Sequence, residues 1–221
     1  MKKCNRCKIR KPLSDFYRNV DRKDGLLEVC KTCSKKRNKK LYPNRKDKII
    51  EQTKKRRIFL HNEIKKLKNK PCKDCGITYP EYCMEFDHTK NNKFMSVSKM
   101  IHEGYALDTI LKEIQKTDLV CVLCHKLRTH KRLIRSKTPR IVRNFEYVMN
   151  IKNASVCSIC EKSYHHSQME FDHLANKEYD ISRMVSSRYS IKSIQKEINK
   201  CQILCALCHR IKTFKDGGYI I

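Results

Sequence analysis

No stretch of this sequence approaches the roughly 18 apolar residues that a membrane-spanning helix needs. The opening Met1-Lys2-Lys3-Cys4 reaches cysteines of zinc-binding type at once and leaves no room for the apolar region of a signal peptide. The chain is therefore expected to be soluble and unexported, in a cytoplasmic or nuclear compartment. Carboxylates are also scarce: 23 Asp and Glu face 51 Lys and Arg, a formal net charge of +28. Solubility alone does not call for such an excess, and a polyanion is the expected partner. A membrane surface fits less well, because the most basic stretch lacks the broad apolar face of an interfacial helix. Few aromatics lie among the basic residues, so no stacking platform for single-stranded RNA is evident.

Cysteine, by contrast, is abundant. Of 14 cysteines, 12 sit in six CxxC pairs. Without a secretory signal, zinc-bound thiolates are the better reading than disulfides. At 221 residues, six such pairs point to several small domains, each burying too little surface to stand without a metal staple.

Residues 1–34 form the first expected unit, with Cys4, Cys7, Cys30 and Cys33 as one tetrahedral site and Asp24-Gly25 as a turn signal. The βαβ context of a redox CxxC is missing. Residues 35–70 follow with 16 Lys or Arg against three acids. Ile49, Ile50, Phe59, Leu60, Ile64 and Leu67 give a thin helical period after Pro43, which predicts a basic helix over 45–68. Lys54, Lys55, Arg56 and Arg57 are its densest phosphate-binding candidates.

The most informative pattern is a duplicated frame: CxxC, Met-Glu-Phe-Asp-His, a helical period, CxxCH. One copy has Cys72, Cys75, Asp87, His88, Cys121, Cys124 and His125; the other has Cys157, Cys160, Asp172, His173, Cys205, Cys208 and His209. Cys75 to Asp87 and Cys160 to Asp172 are both 12 residues, and Asp to final His is 38 and 37. Such agreement marks an internal repeat over 71–132 and 156–215, with 133–155 as a linker broken near Pro139. Met84-Glu85-Phe86 and Met169-Glu170-Phe171 alternate as short strands do. Leu107, Ile110, Leu111 and Ile114, echoed by Ile191, Ile194 and Ile198, read as core helices. Further helices are expected to start near the last Cys and His of each copy. Cys83 and Cys201 read as small buried thiols, and His61, His102, His165 and His166 as loop or solvent residues.

These residues resemble the HNH (His-Asn-His) endonucleases in their zinc-supported ββα-metal form, over just over half the chain. The N-terminal Lys11-Pro12-Leu13-Ser14-Asp15-Phe16-Tyr17 resembles, more weakly, zinc-binding segments near such nucleases in phages and large DNA viruses, including relatives of the recombination endonuclease VII group. The resemblance implies an α+β protein: a zinc finger and basic helix, then two ββα-metal repeats. It implies His88 and His173 as general bases, with Asp87 and His125, and Asp172 and His209, each holding a divalent ion, Mg²⁺ or Mn²⁺. Up to three structural Zn²⁺ would occupy the cysteine sites. Lys126, Arg128, Lys131, Arg132, Arg210, Lys212 and Lys215 would grip phosphate.

Two departures stand out. Lys116 and Lys200 occupy the place of the family's middle Asn, and Thr129 and Thr213 that of a further metal ligand found in some members. The expected activity is hydrolysis of phosphodiesters in double-stranded or branched DNA, by nicking or double-strand cleavage. The alternative is a non-catalytic, zinc-dependent nucleic-acid-binding protein on the same scaffold.

Overall fold

The computed structural model describes residues 1–90, 92–132 and 139–218. Helices and two-stranded antiparallel sheets build two units, Met1–Arg56 and Arg57–Ile221. No helix among the described residues is long and apolar enough to cross a membrane.

In the first unit, β1 (Lys2–Lys3) and β2 (Arg10–Lys11) form a short ladder around Cys4 and Cys7. Lys8 closes this knuckle at φ 61° and gives its N–H to the Cys4 carbonyl at 2.9 Å. β3 (Phe16–Arg18) pairs with β4 (Leu26–Cys30), and Gly25 at φ 67° reverses the chain between them. Among the described residues its buried apolar core is Cys4, Phe16 and Cys30, partly covered by Leu26 and Val29. That core is too small to hold without a staple.

α1 (Lys31–Lys66) begins within the second CxxC pair and runs unbroken through Pro43. The helix expected over 45–68 is thus longer at its start. An interior proline removes a backbone donor and costs about 3 kcal/mol. Here the carbonyl deprived of its partner belongs to exposed Lys39, where water can serve it.

The second unit contains the same arrangement twice. After the last turns of α1 come a cysteine knuckle, β5 (Met84–His88), α2 (Val97–Glu103), α3 (Leu107–Ile114), β6 (Thr117–Cys121) and α4 (Val122–Arg132). The second copy has α5 (Pro139–Asn153), a knuckle, β7 (Met169–His173), α6 (Ile181–Ser186), α7 (Ile191–Ile198), β8 (Cys201–Cys205) and α8 (Ala206–Lys215). Gly76 at φ 70° and Glu161 at φ 56° follow the first CxxC of each copy, in the left-handed position that Lys8 takes in the first unit. β5 and β6 are antiparallel with Asp87 opposite Asp118; β7 and β8 repeat the register with Asp172 opposite Gln202.

Of the expected linker 133–155, residues 133–138 lie outside the described residues and 139–153 form α5. Pro139 is its first residue, where a missing N–H is harmless. Val148, helped by Phe145 and Ile151, packs against Ile181, Met184, Ile194 and Ile198. Leu60 and Ile64 of α1 pack in the same way against Val97, Met100 and Ile110. Each repeat therefore includes a helix before its first cysteine.

The repeats also share a core. Met84, Val120, Val122 and Leu123 of one form a single buried cluster with Met169, Leu204 and Ala206 of the other, and cysteines of both tetrads belong to it. Reciprocal polar contacts rim this core. Arg210 reaches Glu85 at 2.7 Å and the Tyr82 carbonyl at 3.3 Å. Lys126 reaches Glu170 at 2.6 Å, and the Gln168 amide donates to the Leu123 carbonyl at 3.2 Å. Tyr82 and Phe214 stack at 3.9 Å between centroids.

Candidate functional site

All 14 cysteines are free thiols, and the 12 in CxxC pairs converge as three tetrads: Cys4, Cys7, Cys30, Cys33; Cys72, Cys75, Cys121, Cys124; Cys157, Cys160, Cys205, Cys208. Within each, the Sγ atoms lie within 4.8 Å of one another. Four sulfurs at about 2.3 Å from one tetrahedral Zn²⁺ would sit about 3.8 Å apart, so the tetrads are positioned to hold zinc. Backbone amides prepare the thiolates: the Cys30 N–H donates to Cys4 Sγ at 3.3 Å, and the Cys121 N–H to Cys72 Sγ at 3.2 Å. The first contact helps bring the Cys4 thiol down to about 6. Four thiol ligands leave no open position, which suits a structural ion. Cys83 and Cys201 join no tetrad, and burial pushes both up to about 11.

The Asp-His pairs occupy the ends of β5 and β7. Alternation along the strand puts Glu85 and Asp87 on one face and His88 on the other. α4 delivers His125 to the first face: its Nδ1 pairs with the Glu85 carboxylate, and its Nε2 lies 3.3 Å from Asp87 Oδ1. In the second repeat, His209 pairs through Nδ1 with Glu170 and lies 3.4 Å through Nε2 from Asp172 Oδ1. Two ligands at right angles on an ion with bonds near 2.1 Å are about 3.0 Å apart. The nitrogen–oxygen spacing therefore fits a shared divalent ion, and a carboxylate on the far ring nitrogen is the usual support of a ligating histidine. Burial raises the Glu85 and Glu170 carboxyls, but His125 with Arg210, and His209 with Lys126, bring them down to about 2.

On the opposite face, His88 Nε2 meets Glu113 Oε1 at 2.9 Å, and His173 Nε2 meets Glu197 Oε1 at 3.0 Å. The His88 side chain is 8% exposed and the Glu113 side chain 3%. Glu113 also accepts from the Phe94 N–H at 2.8 Å and Lys116 Nζ at 2.6 Å. Glu197 accepts from the Glu178 and Tyr179 N–H groups and from Lys200 Nζ at 2.8 Å. Burial opposes ionisation of both, yet these donors hold Glu113 and Glu197 at about 2. Lys116 and Lys200, standing where the resemblance expects Asn, thus secure the carboxylate that holds each histidine.

The two metal-binding candidates differ. Asp87 receives Nη1 and Nη2 of Arg132, each at 2.7 Å, and Arg128 Nη1 at 3.1 Å, so both its oxygens face guanidinium. Arg128 simultaneously binds Asp118 and Asp74. Asp172 receives Gln202 Nε2 at 2.8 Å and Lys212 Nζ at 2.6 Å on Oδ2, while Oδ1 faces His209. Desolvation raises both aspartates, but these cations leave each below the ordinary carboxylate range.

A cleft of about 1060 Å³ is lined by Asp87, His88 and His125 and by Lys65, Lys68, Lys90, Lys93, Arg132 and Arg210. His61 lines it too, from α1, while His102 sits in the last turn of α2. The basic residues assigned to phosphate are differently placed. Lys126, Arg128, Arg210 and Lys212 are engaged by carboxylates of the repeats themselves. On α1, Lys54 is exposed, Lys55 lies 3.5 Å from Glu51, and Arg57 donates to the His102 carbonyl at 2.8 Å. His166, read as a loop residue, is buried and meets His130 and His165.

Comparison with protein-family models, curated proteins and solved structures found no match to the chain.

Proposed function

We propose that this protein is a metal-dependent DNA endonuclease of HNH type. The reading is supported above all by one duplicated observation: an aspartate and a distant histidine meet at 3.3 and 3.4 Å, each beside a histidine braced by a buried glutamate. Asp87 with His125, and Asp172 with His209, would hold one Mg²⁺ or Mn²⁺ each. When bound, that ion would neutralise charge developing on the phosphate and leaving oxygen.

His88 and His173 would take the proton from the attacking water at Nδ1. Donation from Nε2–H to Glu113 or Glu197 selects the tautomer that leaves Nδ1 with its lone pair, and the carboxylate stabilises the imidazolium formed. Phosphate contacts fall to the exposed lysines and arginines of α1 and to the lysines lining the cleft, an attraction that weakens with salt.

Plasmid cleavage by zinc-replete protein with Mg²⁺, Mn²⁺ or EDTA tests the activity. The expected result is divalent-dependent nicking or linearisation, lost in the His88→Ala/His173→Ala double variant while DNA binding persists. A second reading, a non-catalytic DNA-binding protein, is favoured by the guanidinium cover on Asp87. DNA binding without cleavage under any metal would select it.

A further inference from the structure

Three histidines outside the Asp-His sites converge where the two repeats meet. His130 comes from the last turn of α4 in the first repeat. His165 and His166 come from the single 3-10 turn before β7 in the second. One ring nitrogen of each lies within 4.8 Å of the others. The ring centroids are 4.7 Å apart for His130 and His165, and 4.9 Å for His130 and His166.

His166 is the informative member. It is 8% exposed, and its Nε2 is buried with no hydrogen-bond partner among the described residues. Buried polar atoms of folded proteins are nearly always satisfied, so an orphan beside two other imidazoles points to a missing ligand. His165 Nδ1 accepts from the Ser167 N–H at 3.3 Å and lies 2.8 Å from Ser167 Oγ; ligation through Nε2 would move the ring proton to Nδ1, where Ser167 Oγ accepts it in place of the amide contact.

We propose that His130, His165 and His166 form a fourth metal site, for a divalent transition ion such as Zn²⁺, which ties the first repeat to the second. Neutral imidazoles are preferred by Zn²⁺, Co²⁺, Ni²⁺ and Cu²⁺ over Mg²⁺ or Ca²⁺, and three of them leave one tetrahedral position for water or an anion. The Lys152 ammonium opposes a cation here, a cost that coordination by three imidazoles must outweigh. α4 also carries His125, so an ion at this site would brace the helix that supplies the first repeat's metal-binding histidine.

The test uses untagged full-length protein carrying Asp87→Asn and Asp172→Asn, which disable the two Asp-His sites, with its three cysteine tetrads loaded with Zn²⁺. Added Co²⁺ should bind as one further equivalent and give ligand-field absorption without the thiolate charge-transfer bands of a cysteine site. With added Zn²⁺, total metal should rise from three equivalents to four, matching three tetrads and one triad. His130→Ala and His165→Ala avoid the buried His166. Each should retain three zinc ions and weaken uptake of the fourth by roughly 10- to 100-fold or more, since loss of even an outer-shell partner costs that much. Absence of any metal beyond three equivalents, or unchanged uptake in both variants, overturns the proposal.

Discussion

The two repeats place the same side chains on the same elements, yet their aspartates face different company. Across the strand pair from Asp87 lies Asp118, whereas Gln202 lies across from Asp172. Like charges directly opposed in an antiparallel pair are unfavourable. The first repeat offsets them with Arg128, which touches both aspartates, and Arg132, which chelates Asp87. Gln202 donates a neutral hydrogen bond instead, and Lys212 completes a lighter arrangement that leaves Asp172 Oδ1 toward His209. The cross-strand residue and the two basic positions of α4 thus separate a carboxylate covered on both oxygens by guanidinium from one that leaves an oxygen toward its histidine.

The largest effect that would break this comparison is loss of a zinc staple. Cys157→Ser should release one zinc ion, worth about 10–16 kcal/mol in small zinc modules. Because Cys157 lies in the core shared by both repeats, both should melt together in circular dichroism; melting of the second repeat alone would show that their stabilities are separable. Next in size is the brace on each proposed base. Glu113→Gln and Glu197→Gln should each slow cleavage at their own repeat by roughly 100-fold or more through loss of tautomer control, measured with the other repeat disabled, while zinc content stays unchanged.

A smaller effect sharpens the electrostatic difference. Asp118→Gln with Arg132→Asp gives the first repeat the residues of the second, Gln202 and Asp216. With Asp172→Asn silencing the second site, Mn²⁺ affinity of the first should rise about tenfold, ~1.4 kcal/mol, by calorimetry. Gln202→Asp should move the second site the other way.

The smallest expected effect is on pH dependence. Glu170 raises the His209 imidazole above its ordinary value of 6.5. A group raised on folding contributes stability that is complete below its unfolded pKa and lost as pH rises through the folded one. Without divalent metal, stability should therefore fall as pH rises above the ordinary imidazole value, in urea titrations, and Glu170→Gln should flatten the slope. Mn²⁺ uptake at this repeat should tighten over the same range, because the ion replaces that proton.

Much of the site was legible in the linear sequence. Period-two alternation in Met-Glu-Phe-Asp-His corresponds to β5 and β7, and Leu107, Ile110, Leu111 and Ile114 to α3. The bracing glutamates left a signal too. Glu85 and Glu170 stand two residues before the aspartates, on the same strand face, and Glu113 and Glu197 recur three residues before Lys116 and Lys200. Pro43 misled because proline is a prior against helix interiors and not a prohibition where the orphaned carbonyl is exposed.

The sequence by itself determined the duplication, the three cysteine tetrads, the strands bearing Asp-His and the cationic excess, because these rest on short spacings and local periodicity. Only the tertiary structure decided which charges neutralise one another. Arg210 with Glu85 and Lys126 with Glu170 join residues 125 and 44 apart in the chain, and His130 meets His165 and His166 only because the repeats share one core. Such pairings follow from how two amphipathic surfaces bury each other, a global outcome that no local pattern encodes.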